Sequence, residues 1–187
     1  MANAVAFVRG IIPSPERERD DFYPTPPEGT AALLAVEQFD GTIWEPACGD
    51  GAISRVLEAA GHEVISTDLI DRGYGRGGVD FLLDWQTWAD NVVTNPPFKH
   101  AEAFAEHALR RSRRKVALLC RLAWLEGQQR RRMFTGTPLA RVWVFSSRLK
   151  MQRGRLHREG EGGGMVAFAW FVWEHGYAGA PRLGWLP

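Results

Sequence analysis

The tetrad Asn95-Pro96-Pro97-Phe98, at the end of the apolar run Val92-Val93-Thr94, joins a primary amide, a rigid diproline and an aromatic ring. The first proline has no N–H and a fixed φ, and it biases the residue before it towards extended geometry. The Asn95 side-chain oxygen and the Pro96 carbonyl are then two acceptors with little freedom to move. Such a pair suits an amino group on a flat ring, whose N–H bonds point at the oxygens while the ring stacks on an aromatic plate. A bare NPP usually closes a strand in a turn, so the upstream sequence has to carry the distinction.

Upstream, the sequence predicts a strand over 42–44 that runs into Glu45-Pro46-Ala47-Cys48-Gly49-Asp50-Gly51. A helix over 52–60 is stopped by Gly61. A second strand over 63–67 ends at Asp68, a brief third covers 80–84, and a fourth covers 91–94. Glu45, Asp68, Asp80 and Asn95 thus fall at the ends of four successive strands, where an open α/β sheet binds its ligands. Gly49 and Gly51 let backbone approach a ligand closely, and the helix behind them offers its N-terminal N–H groups. This turn is not the dinucleotide GxGxxG fingerprint and no Walker GK[ST] occurs in the chain, so a phosphate-cradling reading of it is weak. Asp68 lies 19 residues after Gly49, the spacing at which an acid takes the hydroxyls of a ribose. Asp80 can accept from an exocyclic amine while Phe81 offers its ring to a purine. These features describe an adenosine-type cofactor without phosphates. The acidic surroundings tolerate a cation, and the sulfonium of S-adenosylmethionine fits.

The rest of the chain must complete the sheet. A helix is expected over 100–111, a fifth strand over 116–120, a helical piece over 122–134, a sixth strand over 141–145 and a seventh over 165–173. Strands alternating with helices, then two strands joined by a loop, describe a mostly parallel α/β sheet with one antiparallel strand. Residues 1–21 read as an N-terminal arm, Pro-rich and charged towards its end, and 22–187 as a single domain. No apolar run reaches the roughly 18–20 residues of a membrane span, and no signal-peptide pattern opens the chain. Cys48 and Cys120 are 72 positions apart, without CxxC spacing, so free thiols in a reducing cytoplasm are expected. The five histidines show no metal-ligand spacing, and no metal is expected.

The net charge of +1 conceals an asymmetry. Residues 1–109 hold 7 Lys/Arg against 18 Asp/Glu, whereas 110–158 hold 15 against 1. A block that one-sided points to a polyanionic partner, with nucleic acid first among candidates.

TPPE at 25–28, EPACGDG at 45–51, TDL at 67–69, DFLLDW at 80–85 and NPPF at 95–98, in that order, resemble the gamma-class adenine-N6 DNA methyltransferases. The resemblance is close over about 21–100 and holds only in outline beyond. It implies a Rossmann-like seven-stranded methyltransferase sheet and S-adenosylmethionine as cofactor. Tyr23, Thr25 and Pro26 match the segment touching the methionine part of the cofactor. Glu45, Pro46, Ala47, Cys48, Gly49 and Gly51 match the turn beneath it. Asp68, with Leu69, matches the ribose ligand, and Asp80 with Phe81 the adenine ligands. Asn95, Pro96 and Pro97 match the segment that receives the target amino group, and Phe98 the ring that stacks on a flipped base. An NPPF alone also suits RNA guanine-N2 or release-factor glutamine methyltransferases. A non-catalytic nucleic-acid-binding protein of the same fold is the reading from another class.

Family members with defined recognition sites usually carry a separate C-terminal recognition domain, and this chain ends about ninety residues past the tetrad. Two basic segments, 121–132 and 148–164, follow the fifth and sixth strands and should share the face of Asn95. Lys99, Arg121, Arg130, Arg131, Arg132, Arg148, Lys150, Arg153, Arg155 and Arg158 are therefore the expected DNA contacts. Cations on a glycine-rich loop grip phosphates and read bases poorly, so low sequence specificity is expected. Arg110–Lys115 precede the fifth strand and belong on the far side, whereas Trp85 and Trp124 stand near strand ends as candidate substrate contacts.

Overall fold

The computed structural model describes residues 22–151 and 166–187. Their core is one seven-stranded sheet of order β2-β1-β3-β4-β6-β5-β7. The strands are β1 (Ile43–Glu45), β2 (Val64–Ser66), β3 (Ala89–Thr94), β4 (Ser112–Arg121), β5 (Leu139–Phe145), β6 (Phe168–Glu174) and β7 (Arg182–Leu186). β6 runs antiparallel to β4 and β5, and every other pairing is parallel. The α/β sheet expected from the sequence, mostly parallel with one antiparallel strand, is the one observed.

Helices cover both faces, which explains why the central strands read as continuous apolar runs. Val93, Ala117, Leu119, Trp170 and Val172 face one side, with Leu33 of α1 (Pro27–Leu34) and Leu57 of α2 (Ser54–Ala59). Val92, Val116, Leu118, Phe171 and Trp173 face the other, with Phe104 of α3 (Ala101–Arg111) and Met133 of α4 (Gln128–Gly136).

Two elements differ from expectation. Residues 80–84 are not a strand: Phe81–Leu83 form a 3-10 turn bracketed by two aspartates. Asp80 Oδ1 accepts from Leu82 N at 3.0 Å, and Asp84 accepts from the backbone N–H groups of Gln86 and Thr87. Short acidic side chains offer backbone N–H groups an alternative to a ladder, and here that alternative wins. The seventh strand is instead β7, whose pattern Arg-Leu-Gly-Trp-Leu is interrupted by glycine. A Cβ at Gly184 would collide with the Trp143 ring on the neighbouring strand, so the residue that weakens the strand signal is the one packing requires.

A buried ionic hub ties α1's exit to the sheet. Glu37, with its side chain 2% exposed, accepts from Lys115 (2.9 Å), Arg141 and the Trp143 indole (2.9 Å), and Arg141 also holds Glu174 at 2.6 Å. Burial alone would raise the Glu37 carboxyl, but the bonds from Arg141, Lys115 and Trp143 outweigh it and hold its pKa below the ordinary value. The arm 1–21 and most of the basic segment 148–164, with Arg153, Arg155 and Arg158, lie outside the described residues.

Candidate active site

The carboxyl ends of β1, β2 and β3 open into one cleft of about 340 Å³. Beneath it, the turn after β1 crosses over with Gly49 at φ 58° and Gly51 at φ 88°, a region L-residues with side chains enter at a cost. A Cβ at Gly49 would also lie 2.5 Å from Phe22, so backbone and ring meet where only glycine fits. Cys48 N bonds to Thr67 O (3.0 Å), and Asp68 accepts from Gly49 N and Ile70 N, each at 2.8 Å. Asp68 thereby fastens β2's exit to the glycine turn while its carboxylate stays on the cleft wall.

Glu45 is 1% exposed and accepts from the Ser54 hydroxyl, which also meets Ser66 Oγ at 2.7 Å. Burial, reinforced by Asp68 and Asp50 nearby, pushes its pKa well above the usual carboxylate range. The same surroundings push the Cys48 thiol up to about 12, burial again leading. Asp50, which the sequence reading passed over, lines the cleft with a buried Oδ1 that has no hydrogen-bond partner. Its only signal in the sequence was its place between Gly49 and Gly51.

Asn95 is fixed by the segment before α1. Its Nδ2 donates to Tyr23 O (3.0 Å) and to Thr25 Oγ1 (3.1 Å), and Thr25 is only 3% exposed. Both N–H bonds are thus used, which settles the orientation of the amide, and Oδ1 is a buried acceptor with no partner. Phe98 is stacked near-parallel with Tyr23 (centroids 5.7 Å apart, 23°), touches Phe168 (5.9 Å) and carries the Arg121 guanidinium 4.6 Å over its ring.

The fold brings most of the residues singled out from the sequence to this cleft. Tyr23, Thr25, Glu45, Pro46, Ala47, Cys48 and Gly49 line it, as do Asp68, Leu69, Asp80, Asn95, Pro97 and Lys99. Others stand behind it. Pro26 caps α1, Gly51 abuts the Tyr74 ring, and Pro96 is buried. Phe81 reaches the wall but is 2% exposed, its ring packed against Trp44, Phe104 and His107, so the aromatic plate expected under a purine is largely core. The apolar surface the cleft does offer is Leu69 and Ile70, 58% and 39% exposed. Phe22 and its stacked partner Arg72, 4.1 Å away, also line the cleft and were not anticipated.

The cations divide as the strand order dictates. Arg121, exposed at the end of β4, shares the Asn95 end. Arg131 and Arg132 are exposed on α4, where Arg130 is partly buried and donates to Glu126 O, while Arg148 and Lys150 are exposed after β5. At the opposite end, Arg113 pairs with Asp90, Arg114 with Asp40 and Lys115 with Glu37. Of the two tryptophans, Trp124 is 8% exposed within the aromatic core, and Trp85 stands against His107 beside Arg111, away from the cleft. Among the described residues no cluster of three metal-ligating side chains occurs, and no helix is long and apolar enough to cross a membrane.

No protein-family model and no curated protein sequence matches the chain. Solved structures do. A Listeria monocytogenes protein described as a class I S-adenosylmethionine-dependent methyltransferase superposes with a TM-score of 0.62 at 14% identity, over 87% of this chain and 65% of that one. A Pyrococcus horikoshii protein described as an RNA methyltransferase gives 0.60 at 16% identity, over 83% and 87%. A modification subunit of a type I restriction enzyme from Vibrio vulnificus gives 0.56 at 12% identity, over 86% and 45%. The chain therefore spans under two thirds of the first and less than half of the third. At these identities the likeness is one of fold: the Rossmann-like sheet of the S-adenosylmethionine-dependent methyltransferases.

Proposed function

We propose that this chain is an S-adenosylmethionine-dependent methyltransferase acting on the N6 amino group of adenine in DNA. The observation that carries this reading is Asn95, whose two N–H bonds are committed to Tyr23 and Thr25 and whose buried Oδ1 lacks a donor. An unpaired buried acceptor is costly unless a ligand supplies the proton, and an exocyclic amine supplies one. The cofactor suits the neighbouring cleft. Asp68 stands where ribose hydroxyls would reach a carboxylate, Leu69 and Ile70 give apolar cover for a base, and Asp50 Oδ1 awaits a donor such as an ammonium. S-adenosylmethionine, when bound, supplies an electrophilic methyl group on a positively charged sulfur.

The residues then act mainly by orientation. An aromatic amine is a poor nucleophile because its lone pair is delocalised into the ring. Hydrogen bonds to Asn95 Oδ1 and the Pro96 carbonyl favour a pyramidal nitrogen, whose lone pair is aimed along the line of transfer. With the cofactor held between the Glu45–Gly51 turn and Asp68, its methyl group would be the electrophile for that lone pair, and the nitrogen's surplus proton would leave to solvent. No base is required before transfer. The target must leave the duplex, and stacking on Phe98 offsets part of that cost. Exposed Arg121, Arg131, Arg132, Arg148 and Lys150, with Lys99, supply the phosphate contacts, and Arg153, Arg155 and Arg158 extend the set.

The second reading is an RNA guanine-N2 methyltransferase, which would use the same two acceptors; the Pyrococcus neighbour is described as an RNA methyltransferase, without a target base. Incubating the protein with isotope-labelled S-adenosylmethionine and either DNA or RNA, then analysing nucleosides by mass spectrometry, separates them. N6-methyladenine from DNA is the expected product. N2-methylguanine from RNA alone overturns the substrate assignment, and label in neither, with cofactor unbound, leaves a non-catalytic nucleic-acid-binding protein.

A further inference from the structure

Phe98, the ring that the proposed function assigns to a flipped base, is already covered. Tyr23 is stacked with it, Phe168 touches it, and the Arg121 guanidinium lies 4.6 Å over its ring. Arg121 is rigid at its root and free at its tip. Its backbone pairs with Phe168 across the β4–β6 ladder, and the next residue is tied by Leu122 N to Ala167 O at 2.8 Å. The side chain is exposed, and among the described residues it forms no ion pair. Arg113, Arg114, Lys115, Arg130 and Arg141 each satisfy a carboxylate or a carbonyl. Arg121 satisfies an aromatic face.

A guanidinium is flat, delocalised and weakly hydrated, so it stacks on a ring as a nucleobase does, and it also binds phosphate bidentately. The two uses exclude each other when one ring and one swinging side chain are involved. We propose that Arg121 is a positioning residue that holds the target base's place on Phe98. It lies on the ring while no base is present and moves to a backbone phosphate when a base takes the ring. This rests on the reading of Phe98 as the base-stacking residue. The consequence is selectivity for a strand over a free nucleoside. A nucleotide within DNA displaces Arg121 and offers it phosphate in exchange, whereas a nucleoside displaces it and offers nothing.

The experiment measures kcat/KM for methyl transfer to 2′-deoxyadenosine and to an adenine-containing duplex, with wild type, Arg121→Ala and Arg121→Lys. For Arg121→Ala, turnover of the nucleoside is expected to rise roughly three- to tenfold while turnover of the duplex falls about tenfold. The slope of log duplex affinity against log salt should fall in magnitude by about 1. Arg121→Lys keeps the phosphate charge but loses the flat stack, so it should retain the salt slope and still gain on the nucleoside. A loss on both substrates means a structural role, and a loss on duplex with nucleoside turnover unchanged or absent means a phosphate contact only. Either result overturns the place-holder. Wild type that methylates duplex adenine without this crossed pattern removes this inference alone; wild type that methylates no adenine removes the proposed function with it.

Discussion

Asn95→Ala is the substitution in which two roles of one side chain come apart. From the sequence, Asn95 faces the acceptor amine, so its loss should abolish transfer and leave cofactor affinity within a few-fold. The structure alters the second half of that expectation. Asn95 Nδ2 also holds Tyr23 O at 3.0 Å and Thr25 Oγ1 at 3.1 Å, and the segment 22–25 is one wall of the cleft proposed for the cofactor. Each neutral hydrogen bond is worth about 0.5–1.5 kcal/mol net, so losing both releases roughly 1–3 kcal/mol from that wall. If the wall must be in place for the cofactor to bind, affinity falls by roughly 5- to 150-fold, at 1.4 kcal/mol per tenfold. Thr25→Val removes one of the two acceptors and leaves Asn95 Oδ1 intact. It should weaken the cofactor by roughly 2- to 10-fold yet retain single-turnover transfer at saturating cofactor within about tenfold. Titration calorimetry with S-adenosylmethionine, paired with single-turnover methyl transfer, measures both quantities. Unchanged cofactor affinity in both variants would refute the coupling, and full transfer by Asn95→Ala would remove the acceptor role.

Three other expectations follow from the same geometry. Asp68→Ala leaves the Gly49 and Ile70 N–H groups unpaired as well as removing the proposed ribose acceptor; cofactor affinity should drop by about 1–3 kcal/mol, and an unchanged dissociation constant would place the cofactor elsewhere. Glu45 has its pKa raised by burial, so the stability it contributes is present below the unfolded value near 4.3 and is lost as pH rises towards the folded pKa. Glu45→Gln, neutral throughout, should lack that loss, and urea unfolding from pH 4 to 8 should show wild type declining relative to the variant; parallel curves would mean the carboxyl titrates normally. Glu37 is the opposite case, with its pKa lowered by Arg141 and Lys115, so its contribution is present at neutral pH and lost as pH falls through the folded pKa. Glu37→Ala removes the buried carboxylate shared by Lys115 and Arg141, leaving Arg141 to Glu174 and Lys115 to the Gln38 carbonyl, and should cost about 3 kcal/mol, roughly 6–12 °C in Tm at pH 7, narrowing in acid. A constant gap between the two proteins from pH 3 to 7 would contradict it.

Sequence alone determined the parts of this protein that depend on local chemistry. Alternation of strands and helices, the stop at Gly61, the glycine turn after Glu45 and the extended bias before Pro96 are each set by neighbours in the chain. Because ligands of an open α/β sheet gather at strand ends, those local signals also placed Glu45, Asp68 and Asn95 around one cleft, which Asp80 reaches from a 3-10 turn and not from the strand expected there. Tertiary structure decided what each polar group is left free to do. Asn95 could have turned either its oxygen or its nitrogen outwards, and a carbonyl and a hydroxyl some seventy residues away chose the oxygen. Phe81 reads as an aromatic plate, yet Trp44, Phe104 and His107 claim its ring, while Leu69 and Ile70 face the cleft instead. Gly184 hides a strand because the constraint on it comes from Trp143, 41 positions away, and not from its neighbours. Arg121 is one cation among fifteen in its segment until the β4–β6 ladder sets its side chain over Phe98. A side chain's type is written in the sequence, but its remaining valences are what packing leaves over, and chemistry is done by the remainder.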